Sequence, residues 1–163
     1  MAFESLLAYS RLLGEPALHK RDASIASNSV AALEGPLGNV YTEQAFRHFL
    51  NVERVRASRS GRAFLLLLVS LRRCPVRGTR FESAPAADLL EGLGMCVREV
   101  DFVGWYRDGH VAGAVLAQGL DVPDPDASRR IVERVTSVLS DRMPRSVAER
   151  LRVRVVRFNS QPK

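Results

Sequence analysis

The run Phe64-Leu65-Leu66-Leu67-Leu68-Val69-Ser70-Leu71 constrains this chain more than any other segment. It is too short for a buried helix, shows no alternation of apolar and polar positions, and follows Gly61, so it reads as a strand covered on both faces in the middle of a sheet. A strand of that kind needs layers above and below it. With 163 residues, 46% of them hydrophobic, the chain has material for one core of ordinary size and not for two.

The surrounding segments supply the layers. Thr42 followed by Ala45, Phe46, Phe49 and Leu50 predicts a capped helix with one apolar face, running to the polar and basic stretch Arg54 to Arg62. Pro75, Gly78 and Pro85 predict an irregular loop. Leu89, Leu90, Leu93, Val97 and Val100 form the stripe of a second helix. Phe102 to Tyr106 and His110 to Ala117 read as two strands joined by a tight turn at Asp108-Gly109.

Asp124 or Asp126 then caps a helix that turns Ile131, Val132, Val135, Val138 and Leu139 inward, with Pro125 tolerated in the first turn. Leu151, Val153 and Val155 alternate with Arg152 and Arg154 in a last strand ending near Phe158. The order from residue 63 is strand, helix, strand, strand, helix, strand. That is an α+β fold of the ferredoxin-like, split βαβ kind, an antiparallel sheet with helices on it and the last strand at an edge. Charged side chains on such an edge oppose pairing with foreign strands, which is a sufficient reason for Arg152 and Arg154.

Ahead of this domain, Phe3, Leu6, Leu7 and Leu13 predict a short amphipathic helix broken by Gly14-Glu15-Pro16, with a linker rich in small and polar residues after it. The division expected is residues 1–34 as N-terminal helix and linker and residues 35–160 as the domain.

The net charge is +6 and the basic residues are almost all arginine, Lys20 and Lys163 being the exceptions. Arginine's planar fork suits phosphates and guanine edges, while an even spread of arginines over solvated faces gives the same composition. No basic helix studded with aromatics and no nucleic-acid motif accompanies the charge, so a nucleic-acid partner is not expected. Cys74 and Cys96 lie outside metal or disulfide spacing, and His19, His48 and His110 have no ligand partners near them in sequence, so no metal is expected. The longest apolar run is too short to span a bilayer and the N-terminus has no signal-peptide pattern, so the expected compartment is the cytoplasm.

Several segments together resemble a known family. Leu37-Gly38-Asn39-Val40-Tyr41-Thr42-Glu43-Gln44-Ala45-Phe46 resembles the LTGLYNRRAF segment that opens GGDEF domains, the bacterial diguanylate cyclases that make cyclic di-GMP from two GTP molecules. Leu65 to Arg72 looks like the strand that ends in Asp-Leu-Asp in that family, and Val132-Glu133-Arg134-Val135 is similar to its AERIR helix. The likeness covers about residues 37 to 158 and implies the palm-type fold of nucleotide cyclases, shortened at the C-terminus and preceded by a helical leader. The helix that usually closes the family fold would be missing, leaving a sheet face or edge open or covered by the leader.

Carried across by position, the resemblance implies a domain without catalysis. Ser70 stands at a metal-binding aspartate and Arg72 at the second aspartate of that strand end, and neither supplies the carboxylate oxygens that hold Mg²⁺ on a triphosphate. The positions used on guanine fall at Gly78 and Ala87. The signature itself becomes Arg107-Asp108-Gly109-His110-Val111, in which Asp108 is an acid one position out of register and suits a turn. No catalytic residue, no cofactor and no Mg²⁺ are therefore expected.

The family's inhibitory site is an Arg-x-x-Asp segment five residues before the signature. Arg98 to Asp101 has that spacing from Arg107. Arg98 would donate to O6 and N7 of guanine, Asp101 would accept from its N1 and N2 donors, and Arg134 stands where the family brings a further arginine to the ligand. An equally open reading is a local ion pair at a helix end with no ligand. The function expected is a catalytically inactive regulatory module that binds cyclic di-GMP and signals to a partner protein, by analogy one of exopolysaccharide or motility machinery. The alternative is a ligand-free interaction scaffold or a module for homodimerisation.

Overall fold

The computed structural model describes residues 40–74, 78–116 and 126–159. The expected leader and linker over residues 1–34 lie outside the described residues, as do Pro75 and Pro125. In chain order the elements are β1 (Val40–Tyr41), α1 (Glu43–Ser60), β2 (Phe64–Leu71), α2 (Ser83–Cys96), β3 (Phe102–Arg107), β4 (Val111–Leu116), α3 (Ala127–Arg142), the single turn α4 (Arg145–Ala148) and β5 (Leu151–Phe158). The strands form one mixed sheet in the order β1-β3-β4-β2-β5. Strands β3, β4, β2 and β5 pair antiparallel, and β1 runs parallel to β3. The α+β, split βαβ arrangement is therefore present, with β5 at an edge and β1 as an addition that the sequence reading assigned to no element.

The leucine run is the strand it was expected to be. β2 lies between β4 and β5, and every residue from Phe64 to Val69 is buried. Its alternate side chains serve two layers. Leu67, Val69 and Leu71 join the core built with Leu89 and Leu93 of α2 and Val135 and Leu139 of α3. Leu68 is paired with Gly113, where an added Cβ would meet the Phe46 ring at 2.7 Å, so the even-numbered positions face α1. With helices on both sides, Trp105 and Tyr106 are both buried although they point to opposite faces.

Helix α1 begins at Thr42, whose hydroxyl accepts the Ala45 N–H at 3.3 Å, and ends at Gly61. It absorbs the basic stretch as far as Ser60, because Arg54, Arg56 and Arg59 are good helix formers and Ala57 carries the buried stripe into the last turns. Helix α2 differs from expectation at both ends. Pro85 is its third residue, where the missing N–H would have had no partner, and the helix stops at Cys96. Val100 consequently lies outside the stripe and is 58% exposed.

At the start of α3, Asp126 occupies the cap position without a capping bond and instead pairs with Arg129 at 3.3 Å. Val135 and Leu139 are the buried positions of that helix, with Ile131 and Val138 packed partly against the core. On β5, Leu151, Val153 and Val155 face the same core. Arg152 is exposed while Arg154 is half-buried, and Phe158 stacks on Phe64 at 4.7 Å between ring centroids.

Candidate functional site

Where α2 ends and α3 begins, the two helices leave a cavity of about 570 Å³ against the sheet. Its apolar lining includes Leu65, Leu116, Val97 and Ile131, and its charged lining is Arg98, Asp101, Arg130 and Arg134. Leu65 and Leu116 are cross-strand partners, so the floor is fixed by the pairing of β2 with β4. The volume lies within the range of ordinary small-molecule sites. The three residues proposed from the sequence, two from the segment after α2 and one from α3, line this one space.

Each has a local role that shapes the site. Arg98 is not on the helix, as the sequence reading had it, but in the turn two residues beyond α2. That turn is closed at both ends: the Arg98 N–H donates to the Asp101 carboxylate at 2.9 Å and the Asp101 N–H donates to the Arg98 carbonyl at 3.0 Å. Backbone contacts thus hold the Arg-x-x-Asp segment in one shape. Arg134 reaches across from α3 and donates to the carbonyl of Cys96, the last residue of α2. Burial pushes the Cys96 thiol above its ordinary value, and the Arg134 guanidinium offsets part of that rise.

The hairpin that stands in place of the family signature is a separate region. Its loop is three residues long, Asp108 to His110, and not the two-residue turn expected. Gly109 has φ +67°, and the His110 N–H returns to the Arg107 carbonyl at 2.9 Å, so Gly109 is the third residue of a four-residue turn that needs the positive φ glycine adopts freely. Val111 is the first residue of β4, buried opposite Ser70 of β2.

Side chains from elsewhere close over this tip. The Asp108 N–H donates to the Glu43 carboxylate at 2.7 Å, Arg47 donates to the Tyr106 carbonyl at 3.1 Å, and the Arg80 guanidinium lies 3.4 Å from Asp108. Arg150 donates to the carbonyls of Arg72 and Gly78, tying down the far end of β2. Ser70 is half-buried and Ala87 is exposed on α2. Ser70, Arg72 and Gly109 do not make a donor set for a divalent cation, since they bring a hydroxyl, a guanidinium and no side chain to the strand end.

Comparison with solved structures places this architecture. The chain is similar over 79% of its length, and 82% of the other chain, to the GGDEF domain of FimX from Pseudomonas aeruginosa, with a TM-score of 0.57 and 11% identity. The fold is that of a GGDEF domain. A second likeness, to the diguanylate cyclase SiaD of Pseudomonas aeruginosa in complex with its activator SiaC, covers 95% of this chain and 55% of that one, with a TM-score of 0.52 and 16% identity. No protein-family model matches the sequence, and no curated protein does.

Arg98, Asp101 and Arg134, named from the sequence, line one cavity of this fold, while the side chains around them were not named. Arg130 joins the cavity one helical turn before Arg134, a relation visible as an i, i+4 pair on α3. Glu43, Arg80 and Arg150 act on distant backbone, and no local pattern in the sequence marks them.

Proposed function

We propose that this chain is a catalytically inert GGDEF-like module that binds cyclic di-GMP in the cavity between α2 and α3 and passes the bound state to a partner protein. The observation that carries this reading is the convergence of Arg98, Asp101 and Arg134 on one cavity of nucleotide size. Arg98 offers the fork that pairs with the O6 and N7 of guanine, and Asp101 offers carboxylate oxygen to the opposite edge of the base. The closed turn that holds both residues lowers the ordering cost of binding.

Inertness is supported by chemistry at the other end of the sheet. Two-metal phosphoryl transfer needs carboxylates against the triphosphate, and Ser70, Arg72 and Gly109 hold the corresponding places in the resemblance. The Glu43 carboxylate and the Arg80 guanidinium already engage the hairpin tip.

A second reading, a ligand-free scaffold, draws on the local partners of Asp101 and Arg134, which give both residues a structural use. Titration calorimetry of the full chain with cyclic di-GMP separates the two. The receptor reading expects micromolar binding in the wild type and a loss of about tenfold or more in Arg98→Ala, the usual worth of a bidentate base contact. A wild type that gives no heat leaves the scaffold.

A further inference from the structure

The sheet ends in two unlike edges. One is β1, two residues long, and the other is β5, eight residues paired with β2 along its whole length without a register shift. Exposed edges are blunted by shortness, proline, bulges or charge, and β5 has only the last of these.

The ladder fixes which backbone groups of β5 face outward. The Arg72 N–H donates to the Arg150 carbonyl at 2.7 Å, so Arg150 and every second residue after it turn their backbone polar groups to β2. Leu151, Val153, Val155 and Arg157 therefore direct their N–H and C=O groups away from β2, and among the described residues no strand pairs with that side. The side chains of Leu151, Val153 and Val155 pack in the core, which holds this row of donors and acceptors in place.

The charge on the edge has one sign. Arg150, Arg152, Arg154 and Arg157 belong to a stretch without an acid from Arg150 to Phe158, and α1 brings the Arg54 guanidinium to 5.9 Å from the Phe158 ring at the same edge. Arg152 and Arg154 share a face, about 7 Å apart along the strand. Such a row bars a second copy, because an antiparallel pair of β5 strands brings arginine against arginine and like charges opposite each other destabilise. It does not bar an acidic strand, whose carboxylates meet guanidiniums in charge-assisted hydrogen bonds. The side chains that oppose pairing in general thus admit one kind of strand.

We infer that the outer edge of β5 is a docking surface for an extended acidic segment of a partner protein, added to the sheet as a sixth strand with acidic residues at alternate positions beside Arg152 and Arg154. Backbone bonds to the four outward residues attach the segment, and the arginines select it. The surface does not use the cavity between α2 and α3, so its test is independent of cyclic di-GMP.

The probe is an eight-residue peptide alternating glutamate with threonine, titrated into the full chain by calorimetry, with amide hydrogen exchange followed at Val153, Val155 and Arg157. The alternating peptide is expected to bind and to slow exchange at those three amides. A peptide of the same composition with its glutamates in one block, or with lysine in place of glutamate, is expected to bind about tenfold more weakly or worse. Arg152→Glu combined with Arg154→Glu should reverse the preference between the glutamate and lysine peptides. Val155→Pro removes one outward donor while leaving the ladder to β2 intact, and should weaken binding of the glutamate peptide about tenfold.

A wild type that does not bind the alternating peptide, equal binding of the blocked peptide, or protection confined to other amides overturns the inference. A dimer of the free chain in sedimentation that Val155→Pro dissolves gives the edge to a second copy and overturns it as well.

Discussion

His110 shows how far a single residue's environment departs from its place in a motif. It closes the hairpin loop, half-buried, with its Nδ1 3.3 Å from the Thr79 hydroxyl. Burial holds its pKa below the ordinary histidine value, and the nearby Arg107 and Arg80 guanidiniums push the same way. A depressed pKa means that the unfolded chain takes up a proton before the folded one does. The neutral ring's contribution to stability is therefore complete above about pH 6.5 and is lost as pH falls toward the folded-state value. Urea midpoints measured at pH 7.5 and pH 5 should differ less in His110→Gln than in the wild type. The sequence marked the hairpin through Asp108-Gly109 but could not supply Arg80, which comes from a loop 28 residues away. Arg98, Asp101 and Arg134 were legible because a family spacing connects them, and the backbone bonds that hold them were not.

Among the elements, α1 and the β3–β4 pair depend on an absence of side chains. Gly104 and Gly113 are directly opposite each other across these strands, on the face toward α1. Phe46, fully buried, fills the slot: a Cβ at Gly113 would meet its ring at 2.7 Å, and one at Gly104 would meet the Tyr41 carbonyl at 2.5 Å. Gly113→Ala should overpack the layer and cost about 1–3 kcal/mol. Phe46→Leu should be destabilising alone and compensating in combination, so a double-mutant cycle by urea denaturation should show strong non-additivity. The sequence reading passed over both glycines, and a glycine inside a strand pattern in any case marks a close approach without naming its partner. The opposite error occurred in α2, where periodicity carried the stripe on to Val97 and Val100. The chain had already left the helix at Cys96 to form the Arg98–Asp101 turn, and a locally bonded turn overrides an apolar pattern.

At the scale of the whole molecule, the order of elements was readable because each type has its own period, and the ferredoxin-like topology follows from that order with few alternatives. The two-residue β1 was not readable, since pairing of Val40 with Val103 and Tyr41 with Gly104 is entirely a tertiary matter. A fold held in common with cyclases does not bring their chemistry with it. Incubation of the full chain with GTP and Mg²⁺, followed by chromatography, should yield no cyclic dinucleotide above a no-protein control, and steady product formation would contradict the reading of Ser70 and Gly109.

The position of β2 also sets a timetable for making the protein. Its edge partner β5 pairs Phe64 with Phe158 and Leu71 with Leu151, so that one side of the most apolar strand is completed by nearly the last described residues to be synthesised. Contacts of such long range close late, and synthesis proceeds from the other end. A growing chain therefore carries a finished hairpin and helices around a leucine strand with one raw edge until the arginines of β5 have been synthesised. Until then the unpaired backbone along that side of β2 is open to pairing with foreign strands.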